Sequence, residues 1–344
     1  MDRILSIAAK RGASDVHIVV GLPPIFRIDG VLVPMEGEPV TPQEAKRLIF
    51  SVMDEKQRNK FLSEKELDFA YALTEELRFR VNLFFERGNV GAAFRVIPNR
   101  IRSIEELELP LVLKDFAKKD RGLILVTGPT GSGKNTTLAA MLDFINTNYA
   151  KRIVTIENPT EYLHTHKKSV ITQREVGSDT ASFAEAIRRV LRQDPDVILI
   201  GEMRDLETIG AAITAAETGH LVMSTLHTPD APQSIDRIID VFPPSQQHQI
   251  RMQLSIVLEG IVAQRLLPRV GGGRIVATEV LVGTPAVRNL IREGKTEQLY
   301  SVIQTGAKFG MHTMDQDLAR LYRNGKIDRE TLQMSAKNIS NVQV

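Results

Sequence analysis

Apolar and polar positions follow two different periods along this 344-residue chain. In residues 1 to about 98, the runs Asp15-Val16-His17-Ile18-Val19-Val20, Ile25-Phe26-Arg27-Ile28 and Val31-Leu32-Val33 are short and bounded by turn residues. Leu67 to Ala72, Arg78 to Phe84 and Val90 to Ile97 alternate in the same manner. That pattern predicts half-buried antiparallel strands, with turns at Asp29-Gly30 and Arg87-Gly88-Asn89. Leu5 to Arg11, stopped by Gly12, suits a helix, and two more helical segments run from Thr41 to about Leu62. Thr41 as cap, Pro42 in the first turn and Glu44 three residues after the cap mark the start of the first. The expectation is a small α+β domain over 1–98, with Pro98-Asn99-Arg100 opening a connector and first helix over 99–117.

From about residue 103 the pattern changes. Unalternated apolar runs end at Thr127, Ile156, Ile200 and Leu226, and helix-compatible stretches separate them. This predicts a mostly parallel sheet covered on both faces, spanning 118–344. Ser182 to Gln193 reads as an amphipathic helix broken by Asp194-Pro195-Asp196, Asp205 as the cap of the next, and Gly219 as its stop. Ile235 to Ile239 and Gln246 to Leu258 read as helices separated by Pro243-Pro244, and the stretches around Gly271-Gly272-Gly273 as a hairpin. In Ala286 to Glu293, Val287, Leu290 and Ile291 form an apolar face, with Arg288 and Arg292 four apart on another. Thr313 to about Ala336 reads as helical.

The candidate chemistry lies at the ends of the apolar runs. The run Leu123-Ile124-Leu125-Val126-Thr127 stops at Gly128-Pro129-Thr130-Gly131-Ser132-Gly133-Lys134-Asn135-Thr136-Thr137. Strand, glycine loop, lysine and helix in that order are what a phosphate-binding loop requires. Gly128, Gly131 and Gly133 allow the backbone N–H groups to turn inward, Lys134 supplies a cation, and the helix start adds a positive dipole end. Asn135 stands where Ser or Thr would place a hydroxyl on Mg²⁺; its amide oxygen is a bulkier ligand, and Thr136 lies about 100° further round the helix. Glu157 and Glu161 follow the second run and are both candidates to orient or deprotonate an attacking water. Glu202 follows the third and is the expected magnesium-site acid; His227 ends the fourth, placed to sense phosphate. Arg78 and Arg80 share a strand face and Arg95 stands near the end of the next strand, as solvated arginines or as phosphate contacts. His164 and His166 hint at a metal, without a third ligand nearby in sequence.

Composition narrows the partners. Lys+Arg 44 against Asp+Glu 42 gives a net charge of +2, so no global field favours nucleic acid or acidic lipid. No cysteine is present, which excludes disulfides, Fe–S clusters and cysteine-ligated zinc. No apolar run approaches the roughly 18 residues of a membrane span, and the first ten residues are broken by charge too early for a signal peptide. A globular protein of the cytoplasm is expected, with membrane association only through a partner.

These residues resemble the PilT family, the twitching-motility retraction ATPases of the type II/IV secretion superfamily. The resemblance rests on Gly12-Ala13-Ser14-Asp15-Val16-His17, the phosphate loop, Thr155 to Tyr162 as an Asp box and Leu191 to Glu202 as a Walker B segment. It extends to Thr218-Gly219-His220 through Thr225-Leu226-His227-Thr228 as a His box, and to Ala286-Val287-Arg288-Asn289-Leu290-Ile291-Arg292-Glu293. It implies a PAS-like N-terminal domain, a RecA-like ATPase domain and a cytoplasmic homohexamer at the pilus base, which uses ATP and Mg²⁺ to drive pilin back into the inner membrane. By the same resemblance Glu161 is the general base, Glu202 the magnesium-site acid, His227 the box histidine, and Arg80 and Arg95 nucleotide contacts. An inner-membrane platform protein and a retraction-ATPase paralogue are the implied partners. Two positions depart from the family pattern: Asn135 replaces Ser or Thr, and Asn158 replaces the aspartate of the Asp box. The rival readings are an assembly or secretion ATPase of the same superfamily, a nucleotide-binding scaffold with little turnover, and a RecA-like DNA translocase.

Overall fold

The computed structural model describes residues 1–28, 30–74, 77–97 and 100–338. The turn expected at Asp29 and the connector expected at Pro98-Asn99 thus lie outside the described residues. The chain divides into two compact units, one of Met1–Arg100 with Asn158–Leu163, the other of the remaining described residues.

In the first unit, helix α1 (Asp2–Lys10) leads into β1 (Asp15–Ile18), β2 (Ile25–Ile28) and β3 (Val31–Pro34). Helices α2 (Pro42–Phe50) and α3 (Glu55–Glu64) precede β4 (Glu66–Ala72), β5 (Arg78–Glu86) and β6 (Asn89–Ile97). The strands form one antiparallel sheet in the order β3-β2-β1-β6-β5-β4. Strand alternation sends Val16, Ile18, Phe26, Phe79, Val81 and Phe94 into a core with Leu5, Ile49 and Phe61. The opposite face carries charge. Arg27, Asp15, Arg95 and Arg80 stand in one register row across four strands. Thr41 caps α2 by accepting the Glu44 N–H, and Asp54 and Gln57 form a reciprocal capping box on α3.

In the second unit, α4 (Val112–Ala117) precedes β7 (Gly122–Thr127), α5 (Lys134–Asn148), β8 (Arg152–Glu157) and β9 (Val170–Glu175). Then come α6 (Phe183–Val190), β10 (Val197–Ile200), α7 (Leu206–Glu217), β11 (Leu221–Leu226), α8 (Ala231–Asp240) and α9 (Pro244–Val257). Strands β12 (Leu258–Pro268) and β13 (Arg274–Val282) and helices α10 (Pro285–Glu293), α11 (Leu299–Thr305), α12 (Met314–Arg323) and α13 (Arg329–Ser335) complete it. The sheet order is β13-β12-β7-β11-β10-β8-β9, parallel throughout except for the β12–β13 hairpin. Successive residues of β7 feed opposite cores, Leu123 and Leu125 into one and Ile124 and Val126 into the other, which is why the run shows no alternation.

Several boundaries differ from the sequence reading: α8, expected from Ile235, starts at Ala231 under the Asp230 cap, and α6, expected to reach Gln193, ends at Val190. The first strand stops at Ile18 rather than Val20. The helix read to Leu258 ends at Val257, because Leu258 is already extended and pairs with Leu123. The C-terminal helix is two, parted where Gly325 takes a left-handed φ of 65° and Asp328 caps α13 through the Thr331 N–H.

Candidate nucleotide site

The carboxyl ends of β7, β11, β10 and β8 are neighbours in the parallel sheet, the edge at which such folds bind ligands. At the end of β7 the loop 128–133 turns into α5. Gly128 has φ 140°, and a Cβ there would overlap the Gln264 backbone carbonyl oxygen and crowd Ser132 Oγ; only glycine lets β12 lie this close beneath the loop. Gly133 takes the left-handed conformation immediately before α5, which has no side-chain cap and no acidic residue in its first turn. The helix therefore presents its positive dipole end at the loop, with no side-chain carboxylate to offset it.

Lys134 is buried, and its ammonium donates to the carbonyl oxygens of Gly128 (2.8 Å) and Pro129 (3.0 Å), bracing the loop around the cation. Pro129, Thr130, Gly131 and Asn135 are exposed, whereas Ser132 and Thr137 are buried. Ser132 Oγ has no hydrogen-bond partner, an orphaned hydroxyl inside a phosphate-type loop. Thr137 faces inward, its hydroxyl accepting Gln264 Nε2 at 2.9 Å. Gln264 is only 1% exposed, a polar residue that ends the apolar run Ile261-Val262-Ala263 yet stays buried.

Glu202 follows β10. Its carboxylate accepts Arg204 Nε at 2.9 Å and stands 3.7 Å from His227 Nε2, which follows β11. Burial lowers the His227 pKa from its ordinary value; the Lys134 ammonium and Arg204 add to this, and Glu202 opposes it. His227 is thus neutral at pH 7, able to donate or accept one hydrogen bond. Asp205, read from sequence as a cap, accepts the Thr208 N–H. Lys134, Glu202 and His227 come together at one sheet edge.

Glu157, at the end of β8, accepts Thr155 Oγ1 (2.7 Å) and Gln173 Nε2 (3.2 Å) through one oxygen. Glu161 lies with the first unit, where it faces Arg80 NH1 at 3.5 Å. In that same unit Arg95 Nε donates to Asp15 Oδ1 at 2.8 Å, and Arg78 has one buried terminal nitrogen with no partner.

The two histidines read as a metal hint have other surroundings. His166 Nδ1 accepts the Ile171 N–H at 3.2 Å, and burial pushes the His164 pKa down to about 4, with Asp143 opposing and Lys167 adding. Among the described residues no group of three or more His, Cys, Asp or Glu side chains could hold a metal ion. The His164 shift sets an acid limit on stability. The folded state keeps this ring neutral while the unfolded chain protonates it below about pH 6.5, so stability present at neutral pH is lost as pH falls from about 6.5 towards 4. Denaturant titrations at pH 7 and pH 4.5 should show a loss that shrinks by roughly 2–3 kcal/mol in His164→Gln; an equal loss in both proteins would refute the assignment.

For a nucleotide the residues present fit: an orphaned Ser132 hydroxyl, a buried lysine and an uncapped helix start face the loop. The side-chain oxygens that would suit Mg²⁺ here are the Glu202 carboxylate and the Asn135 amide, and such an ion ordinarily completes its shell with phosphate and water.

A doubly covered parallel sheet with a lysine-braced glycine loop, an acid and a histidine at adjoining strand ends has the make-up of an ATPase. The chain belongs to the type II/IV secretion system protein family, whose model matches residues 1–272. It is 49% identical over 334 residues to the type IV pilus retraction ATPase PilT of Pseudomonas aeruginosa, covering 97% of each chain. It is 42% identical over 330 residues to the type IV pilus ATPase PilU of the same organism, covering 96% of this chain and 86% of that one. A crystal structure described as the pilus retraction motor PilT with bound ADP superposes with a TM-score of 0.90 at 47% identity, covering 99% of this chain and 98% of the other.

Proposed function

We propose that this chain is the ATP-hydrolysing subunit of a type IV pilus retraction motor, assembled as a homohexamer at the cytoplasmic face of the inner membrane. The observation that carries the reading is the similarity, over 99% of this chain, to a retraction motor crystallised with ADP, joined to a glycine loop braced by a buried lysine. We assign 1–98 as a PAS-like domain, 99–117 as a linker with its first helix, and 118–344 as a RecA-like ATPase domain. A membrane platform protein and a paralogous retraction ATPase are its expected partners. No helix of the described residues is long and apolar enough to cross a membrane.

In this mechanism Lys134 and the first N–H groups of α5 hold the phosphate chain of ATP and offset its charge. Glu202 and Asn135 would hold Mg²⁺, which when bound neutralises charge on the terminal phosphates. Glu161 takes the proton of the attacking water as oxygen bonds to the terminal phosphorus and the bond to the bridging oxygen breaks, giving ADP and phosphate. Neutral His227 hydrogen-bonds the departing phosphate, and Arg80 and Arg95 contact the nucleotide. Measuring Mg²⁺-dependent ATPase activity, and twitching after expression in a strain lacking its retraction ATPase, tests the whole; absence of both overturns it.

Because His227 titrates below its ordinary value, kcat/KM should fall on the acid side with a midpoint below about pH 6.5. That limb should disappear in His227→Gln, and its persistence would remove the histidine from the mechanism. A second reading, an accessory subunit of low turnover, is favoured by Asn135, which lies exposed in the first turn of α5 where the motif calls for a hydroxyl. Asn135→Ser should raise kcat about tenfold, the equivalent of about 1.4 kcal/mol, and lower the Mg²⁺ concentration required. Identical rates would show that the amide is no impediment.

A further inference from the structure

We propose that Gln173 is a positioning residue for hydrolysis, a single amide that clasps both roots of the segment carrying Glu161. This rests on the reading of Glu161 as the base. Residues 158–163 cluster with the first unit, so the chain leaves the second unit after Glu157 and rejoins it at His164. Gln173 lies on edge strand β9, paired in register with Thr155 of β8. Its Nε2 donates to Glu157 Oε1 at 3.2 Å, and its Oε1 accepts the backbone N–H of His164 at 2.8 Å. The last residue before the segment and the first after it are thereby joined through one side chain.

The residue type follows from that task. A neutral amide both donates and accepts, whereas a glutamate here would set a second carboxylate against Glu157 and an apolar side chain would hold neither root. Each root has a further anchor. Thr155, fully buried, donates from Oγ1 to the same Glu157 oxygen at 2.7 Å. On the returning side Asn146, fully buried on α5, donates to the Thr165 carbonyl (2.7 Å) and accepts the Lys167 N–H (3.0 Å). The rejoining chain is thus fastened to the helix that opens with Lys134. Fixing both ends of a six-residue segment removes much of its conformational freedom, which is what an acid must have lost to meet a water at the right place.

The test is steady-state ATPase kinetics and ADP affinity on the assembled protein carrying Gln173→Leu, with Gln173→Glu as a size-matched second variant, each alone and combined with Glu161→Gln. Expected is a fall in kcat of about 10- to 100-fold, the scale of a small misplacement of a reacting group, with KM and ADP affinity changed less than about twofold. In the Glu161→Gln background the Gln173 substitutions should add no further loss, whereas a glutamine that only supports the fold would multiply it. Hydrogen exchange of the 157–165 backbone should quicken in Gln173→Leu. Unaltered kcat, losses that multiply, or unchanged exchange would each overturn the proposal. If Glu161→Gln alone retains the full rate, it is the reading of the base that fails, and the exchange result still decides whether the clasp exists.

Discussion

Lys134→Ala should bring ATP hydrolysis down at least about 100-fold and carry nucleotide affinity down with it. The scale is that of removing one preorganised charge from a water-poor site. Lys134 is the proposed counter-charge to the phosphates of a bound nucleotide, and in the structure its ammonium holds the Gly128 and Pro129 carbonyls in place. Alanine removes the charge and leaves those oxygens without the ammonium, so the loop should also loosen, at a cost of about 1–3 kcal/mol in stability. Steady-state hydrolysis and ADP binding by calorimetry measure the first effect, and denaturant unfolding the second. An alanine variant that binds ADP as the parent does would show that the nucleotide is held elsewhere.

Glu161→Gln should lower kcat by about 10²- to 10⁴-fold while leaving ADP affinity nearly as it was. The amide has the size of the acid and can still face Arg80, but it cannot take a proton from water. Glu161 forms an ion pair with the Arg80 guanidinium at 3.5 Å. Glu202→Gln should differ in kind, raising the Mg²⁺ concentration needed for half-maximal rate, because that carboxylate is the proposed ion ligand. Comparing the two substitutions across a Mg²⁺ titration separates the roles. A Glu161→Gln protein within twofold of the parent rate would leave Glu157, the other acid after β8, as the candidate base.

The parts of this molecule legible from sequence are those whose signal is local. The strand β7 and its loop announce themselves because burial on two faces forces an unbroken apolar run, and tight approach to Gln264 forces glycine at Gly128. Helix starts at Thr41 and Asp205 could be read because a cap accepts an N–H only three residues away. Strand β9 gave no such sign: it is a sheet edge whose one buried residue is Ile171, so its sequence is largely polar. Gln173 was invisible for the same reason, since its partners, Glu157 and His164, lie 16 and 9 residues away and carry no pattern that points to it. The pairing of Arg80 with Glu161 spans 81 residues and likewise needed the fold.

Of the two arginines in the stretch Ala286 to Glu293, Arg288 is half-buried and taken up by contacts within the chain. Its guanidinium donates to the Gly283 carbonyl (2.8 Å), to the Ser255 and Ile256 carbonyls that close α9, and to the Glu259 carboxylate (2.6 Å), while Arg292 is exposed. A cell that stops twitching after Arg288 is altered would therefore be reporting a broken joint inside the subunit. Only a defect at Arg292, with the purified ATPase unharmed, would testify to something the motor grasps outside itself.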